Sequence, residues 1–92
     1  MDEVPVQFNV LKAYPNPFNP SIKVSFELNQ QSLVKLAVYD IKGAFVQEIR
    51  HDVLDMGSYT YNWDASAYPS AVYMLRLSTN SQVLTQKVVL IK

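Results

Sequence analysis

Ser21-Ile22-Lys23-Val24-Ser25-Phe26-Glu27-Leu28 decides the fold class. Its apolar residues, Ile22, Val24, Phe26 and Leu28, fall at every second position, with Lys23, Ser25 and Glu27 between them. Successive side chains of a strand point to opposite faces, so this alternation describes a half-buried β-strand. Leu33–Asp40 repeats it, with Val34, Leu36 and Val38 expected inward and Lys35, Ala37 and Tyr39 outward. Ser58–Asp64 does so again, placing Tyr59, Tyr61 and Trp63 on one face and Thr60, Asn62 and Asp64 on the other. No segment carries a helical period, and internal repeats are absent.

The residues between these strands read as turns. Asn29–Ser32 is polar, and Asp40–Gly43 is a hairpin loop in which Gly43 supplies a positive φ. Ala44–Arg50 is the returning strand; its apolar residues Val46 and Ile49 are out of phase, which predicts a bulge. His51–Gly57 is expected to be a longer connection, and Ala65–Pro69 a loop. Ser70–Thr79 and Gln82–Ile91 form a last hairpin around Asn80-Ser81, and Phe8–Lys12 a short first strand. Seven short strands with regular turn signals predict an all-β fold, a seven-stranded antiparallel immunoglobulin-like β-sandwich. Trp63 is expected at its centre, its indole N–H requiring one partner.

Ahead of the first clear strand stands Tyr14-Pro15-Asn16-Pro17-Phe18-Asn19-Pro20. Three prolines fix φ, remove three backbone donors and push each preceding residue out of the helical region. Both asparagines can close side-chain turns. The stretch is a stiff corner with two aromatic anchors, Tyr14 and Phe18.

Composition narrows the function. Ninety-two residues, 49% of them hydrophobic, make one small domain. Residues 1–7 are expected to be a linker end, with Met1 an added start residue, and residues 8–92 the folded domain. Without cysteine there is neither a disulfide nor a thiolate metal site. Eight basic and eight acidic side chains cancel, which removes the electrostatic case for nucleic acid or an anionic membrane. The first ten residues lack the basic and apolar regions of a signal peptide, and no apolar run is long enough to span a bilayer.

Catalytic chemistry finds little support. His51 is the only histidine, and with Ser58, Ser66 or Ser70 and an aspartate it forms a triad only on paper, since no nucleophile elbow presents a serine. One histidine is not a zinc site, and Asp52, Asp55 and Asp64 lack the spacing of a calcium loop. The expectation is no catalytic residue, no metal and no cofactor. Tyr59, Tyr61 and Trp63 could instead form a platform for sugar rings, as in carbohydrate-binding or adhesion modules of secreted enzymes. A domain this small needs such aromatics for its core, and the core reading is preferred.

Tyr14–Ser21 and the strands after it resemble the C-terminal sorting domain (type A) of the type IX secretion system, the Por secretion system sorting domain family. The likeness continues through Val34–Asp40, Gly43, Gly57, Trp63-Asp64, Pro69–Tyr73 and Gln86–Lys92, in order and at matching spacing. Ala71 stands where the family usually has glycine, and Gly43-Ala44 where glycine-arginine is common. The related domain of the flagellar hook-capping protein shares part of the strand pattern, but no assembly-specific segment is visible here.

The resemblance implies the same seven-stranded sandwich and a non-enzymatic role. The domain would direct an attached N-terminal passenger, in Bacteroidetes-type bacteria, through the periplasm and the outer-membrane translocon to the cell surface or medium. A sortase-like peptidase would then often remove it. A signal peptide would lie upstream, in a longer precursor. The residues expected to be read by the translocon are Pro15, Asn16 and Pro17 of the corner, Val72 and Tyr73, and the lysines Lys87 and Lys92 that bracket the apolar run Val88–Ile91. An exposed edge on that C-terminal strand would suit the role and leaves open a weak homodimer.

Overall fold

The computed structural model describes residues 8–79 and 82–92, with side chains from Leu11 onward. The expected linker at residues 1–7, Met1 included, and the turn at Asn80-Ser81 lie outside the described residues. Seven strands follow one another: β1 Phe8–Tyr14, β2 Ser21–Leu28, β3 Ser32–Asp40, β4 Phe45–Leu54, β5 Gly57–Asp64, β6 Ala71–Ser78 and β7 Val83–Leu90. They form two antiparallel sheets, one ordered β1-β2-β5 and the other β4-β3-β6-β7. Among the described residues there is no helix, hence none long and apolar enough to cross a membrane.

The alternating strands behave as their sequences require. Ile22, Val24, Phe26 and Leu28 of β2 are buried, as are Val34, Leu36 and Val38 of β3 and Leu75 and Leu77 of β6, and together they form one core between the sheets. Trp63 is 1% exposed and lies among the rings of Phe18, Tyr68 and Tyr73, with centroids 5.5–5.9 Å away. Its Nε1 donates to Gln47 Oε1 at 3.0 Å, and the Tyr68 hydroxyl donates to the same oxygen at 3.1 Å. Gln47 on β4 is thus the partner that the buried indole requires. Gly43 adopts φ 86, and Asp40 Oδ1 accepts the N–H groups of Lys42 and Ala44, closing the hairpin.

Four details depart from the sequence reading. First, β1 runs on to Tyr14 rather than ending at Lys12, because Ala13 and Tyr14 keep their register with Val24 and Lys23. Second, the expected connection His51–Gly57 is mostly strand. β4 continues to Leu54, pairing His51–Leu54 with Lys35–Ser32, and only Asp55 and Met56 separate it from β5. The segment hides its strand character because β4 is an edge whose last residues are solvated until Leu54 turns inward. Third, β4 carries two register shifts where one bulge was expected. They skip Ile49 and Val46, and both residues pack against the core. Fourth, Ala37 on the outer face is 1% exposed. Its methyl group is low between Glu48 and Arg76, its register neighbours on either side.

Candidate functional site

The proline corner crosses from the three-stranded sheet to the outer edge of β7. Its peptide bonds Tyr14–Pro15, Asn16–Pro17 and Asn19–Pro20 are cis. Asn16 Nδ2 donates to the Lys87 carbonyl at 3.1 Å, and the Val89 N–H donates to Asn16 Oδ1 at 3.0 Å. Phe18 continues with its backbone, donating to Val89 O at 2.9 Å and accepting from the Ile91 N–H at 3.0 Å. Its ring is 2% exposed and sits against Trp63, whereas Pro15, Asn16, Pro17, Asn19 and Pro20 remain on the surface.

This corrects the expectation of an exposed C-terminal edge. From Lys87 to Ile91 the outward backbone groups of β7 are held by the corner. The alternating faces of Val88–Ile91 explain what covers the run: Val88 and Leu90 are buried in the core, Val89 is half-buried beneath the corner, and Ile91 is 53% exposed.

The terminal lysine is also tied down. Lys92 Nζ donates to the Ser66 carbonyl at 2.7 Å, and its backbone N–H donates to Ser70 Oγ at 3.0 Å. Asp64 completes this cluster, with Oδ1 accepting from the Ser66 N–H at 2.9 Å and from the Ser66 hydroxyl. These two hydrogen bonds hold the Asp64 carboxyl below the usual carboxylate range, and the Lys92 charge adds to them. Lys87, by contrast, contributes only its carbonyl to the corner and leaves its side chain exposed.

Val72 and Tyr73 part company. Val72 is half-buried on the outer side of β6, paired with Val89 of β7. Tyr73 is 4% exposed, edge-on to Trp63, and its hydroxyl donates to the Pro69 carbonyl at 2.7 Å. Burial raises its pKa above the ordinary tyrosine value. The expectation that both are presented to a partner is therefore corrected for Tyr73: alternation along β6 turns its ring into the core and leaves Val72 outside. Ala71, where glycine is usual, opens β6 as an ordinary strand residue, and no non-glycine residue described has a positive φ. Beside this segment lies an open groove of ≈ 490 Å³ between the β3–β4 hairpin and residues 68–73, lined by Ile41, Phe45, Tyr68, Pro69 and Val72.

The other candidates scatter. His51 Nδ1 lies 3.3 Å from Glu48 Oε1, Asp52 pairs with Arg50 at 2.7 Å, and Asp55 offers its backbone carbonyl to the Tyr59 hydroxyl. Among the described residues no three His, Asp or Glu side chains gather as metal ligands. Tyr59 and Tyr61 are half-buried: they stack on Phe26 at 5.6 and 6.0 Å and lie parallel to each other, packed against the core whose buried member on this strand is Trp63.

Sequence reasoning missed Gln47, and it saw Ser66 and Ser70 only as nucleophiles rather than as anchors for Lys92. It also missed Ile41 and Phe45, exposed apolar residues on either side of the Gly43 turn, Ile41 in the loop and Phe45 opening β4, where the only signal was large side chains beside a solvated turn. A family model described as a secretion system C-terminal sorting domain matches residues 12–92, nearly the whole chain. No curated protein sequence matches the chain.

Proposed function

We propose that this chain, which belongs to the secretion system C-terminal sorting domain family, is read by its export machinery through one composite surface at the β7 edge. Domains of this family are C-terminal signals for type IX secretion, so the chain acts as a sorting signal for an attached passenger. The finer reading concerns which residues are recognised, and one observation carries it. Asn16 contacts residues 71 and 73 positions further along, so the first and last motifs of the family pattern meet on one surface. Val72 joins them through its register partner Val89.

In this reading Pro15, Asn16, Pro17, Val72, Lys87 and Lys92 face the outer-membrane translocon, and Tyr73 supports them from within. Recognition rather than bond-making is the chemistry. A sortase-like peptidase then acts on the exported chain, and the passenger reaches the cell surface or the medium. The strand order and the Tyr73 hydroxyl returning to the Pro69 carbonyl support placing the two sheets in the immunoglobulin-like class, where a tyrosine bonded to upstream backbone recurs.

The test separates signal from stability. Lys87→Ala combined with Lys92→Ala removes two exposed side chains and gives up the solvent-exposed Lys92 Nζ–Ser66 carbonyl bond, but leaves the backbone bonds to Asn16 and Ser70 in place, so stability should fall by no more than about 1 kcal/mol. A reporter fused to this variant should stay in the periplasm of a host carrying the secretion system. Normal surface delivery would remove the lysines from the signal.

A further inference from the structure

β7 is the outermost strand of its sheet, and such an edge recruits further strands unless something blocks it. Here the block is a strap of three residues. The Asn16 carboxamide donates to Lys87 O and accepts from Val89 N–H, so it stands in for one peptide unit of a neighbouring strand. Phe18 then donates to Val89 O and accepts from Ile91 N–H, and its bridge to Leu90 runs parallel. Pro15, Pro17 and Pro20 have no N–H, so the strap offers few donors with which to pass the ladder on to another chain.

The strap is also the kind of element that opens locally. Its residues are exposed apart from one anchor, the Phe18 ring against Trp63, and both bonds of Asn16 lie at the surface. Segments with few buried contacts and solvent-exposed hydrogen bonds have the lowest opening free energies. Opening would uncover two features side by side: an apolar socket lined by Trp63, and three unpaired backbone groups on β7, Val89 N–H, Val89 O and Ile91 N–H, while Lys87 O keeps its bond from Gln86 Nε2.

From this geometry we infer that the β7 edge from Lys87 to Ile91 is a strand-addition site kept closed by residues 16–18. Its partner is an extended peptide running parallel to β7, carrying a carboxamide side chain and, two residues later, an aromatic ring that fills the Phe18 socket. Backbone pairing supplies the affinity, and the socket supplies the selectivity. The site is a property of the folded domain and does not depend on which machinery reads the signal.

Amide hydrogen exchange on the isotope-labelled domain tests the closed state. Val89 and Ile91 donate to the strap, whereas Val88 and Leu90 face β6 by alternation and serve as internal controls. Asn16→Ala should speed exchange at Val89 and Ile91 by roughly tenfold, the equivalent of about one lost hydrogen bond, and leave Val88 and Leu90 unchanged. The open site is tested with an unlabelled synthetic peptide spanning Ala13–Pro20, titrated into the Phe18→Ala domain. Saturable binding that restores protection at Val89 and Ile91 supports the site, provided the same peptide with its phenylalanine replaced by alanine fails. If Phe18→Ala does not fold, the exchange measurement on Asn16→Ala decides. Unchanged exchange at Val89 in Asn16→Ala, or a peptide that restores no protection, overturns the inference.

Discussion

Replacing Gln47 with leucine is the sharpest probe of how the core is held together. Gln47 Oε1 accepts two hydrogen bonds, from Trp63 Nε1 and from the Tyr68 hydroxyl. Leucine has nearly the same volume but accepts neither. Tyr68 is half-buried, so its hydroxyl can turn to water. Trp63 is 1% exposed, so its N–H cannot. One buried donor left without a partner costs about 1–3 kcal/mol. A 92-residue domain at ordinary stability per residue has about 5–14 kcal/mol in total, so the loss is a sizeable fraction. At about 4–8 °C per kcal/mol for a domain of this size, thermal unfolding followed by circular dichroism resolves it easily. Extra apolar burial by leucine would offset part of the penalty, so a double-mutant cycle with Trp63→Phe is needed. Phenylalanine has no N–H to strand, and in that background Gln47→Leu should cost much less, giving a coupling above about 0.5 kcal/mol. A Gln47→Leu domain within about 0.5 kcal/mol of wild type, with no coupling to Trp63→Phe, would show that the indole bond does not hold this core.

Two further predictions follow from the same geometry. Trp63→Ala should cost on the order of 3–5 kcal/mol by emptying a core aromatic site, and calorimetry of the wild-type domain against soluble glycans should register no binding. Glycan binding lost on Tyr61→Ala, with the fold intact, would instead make the tyrosines a carbohydrate platform. Asp64 has a folded pKa below its unfolded value, so its contribution to stability is present above about pH 4 and lost as pH falls through the folded value. Acid titration by NMR should show the Asp64 carboxyl titrating below the ordinary aspartate range, and in Ser66→Ala it should move back up.

How much of this was legible in the sequence depended on how local the cause was. The faces of Ser21–Leu28 and Leu33–Asp40 could be read because a buried strand face leaves a period of two in its own residues. Gly43 was legible for the same reason, since a positive φ is a one-residue requirement. The end of β4 was not, because an edge strand solvated on both sides carries no alternation. Ala37 looked exposed because its burial comes from Glu48 and Arg76 on other strands. The candidate surface shows the same division. The corner at Tyr14–Pro20 and the apolar run at Val88–Ile91 each stood out alone. Nothing local in either one announces that Asn16 and Phe18 close the β7 edge, since that pairing spans more than 70 residues. Tyr73 was misplaced by treating a sequence motif as a surface, when alternation along β6 turns its members to opposite sides.

This domain carries its own address, and where it sends a reporter measures that most directly. A reporter with an upstream export signal, fused to residues 8–92, would be fractionated in a host that carries the type IX system and in the same host lacking the translocon. Reporter is expected at the cell surface or in the medium only when both the domain and the translocon are present, and in the periplasm otherwise. Reporter retained in the periplasm of the competent host despite a folded domain, or exported equally well without the translocon, would contradict it.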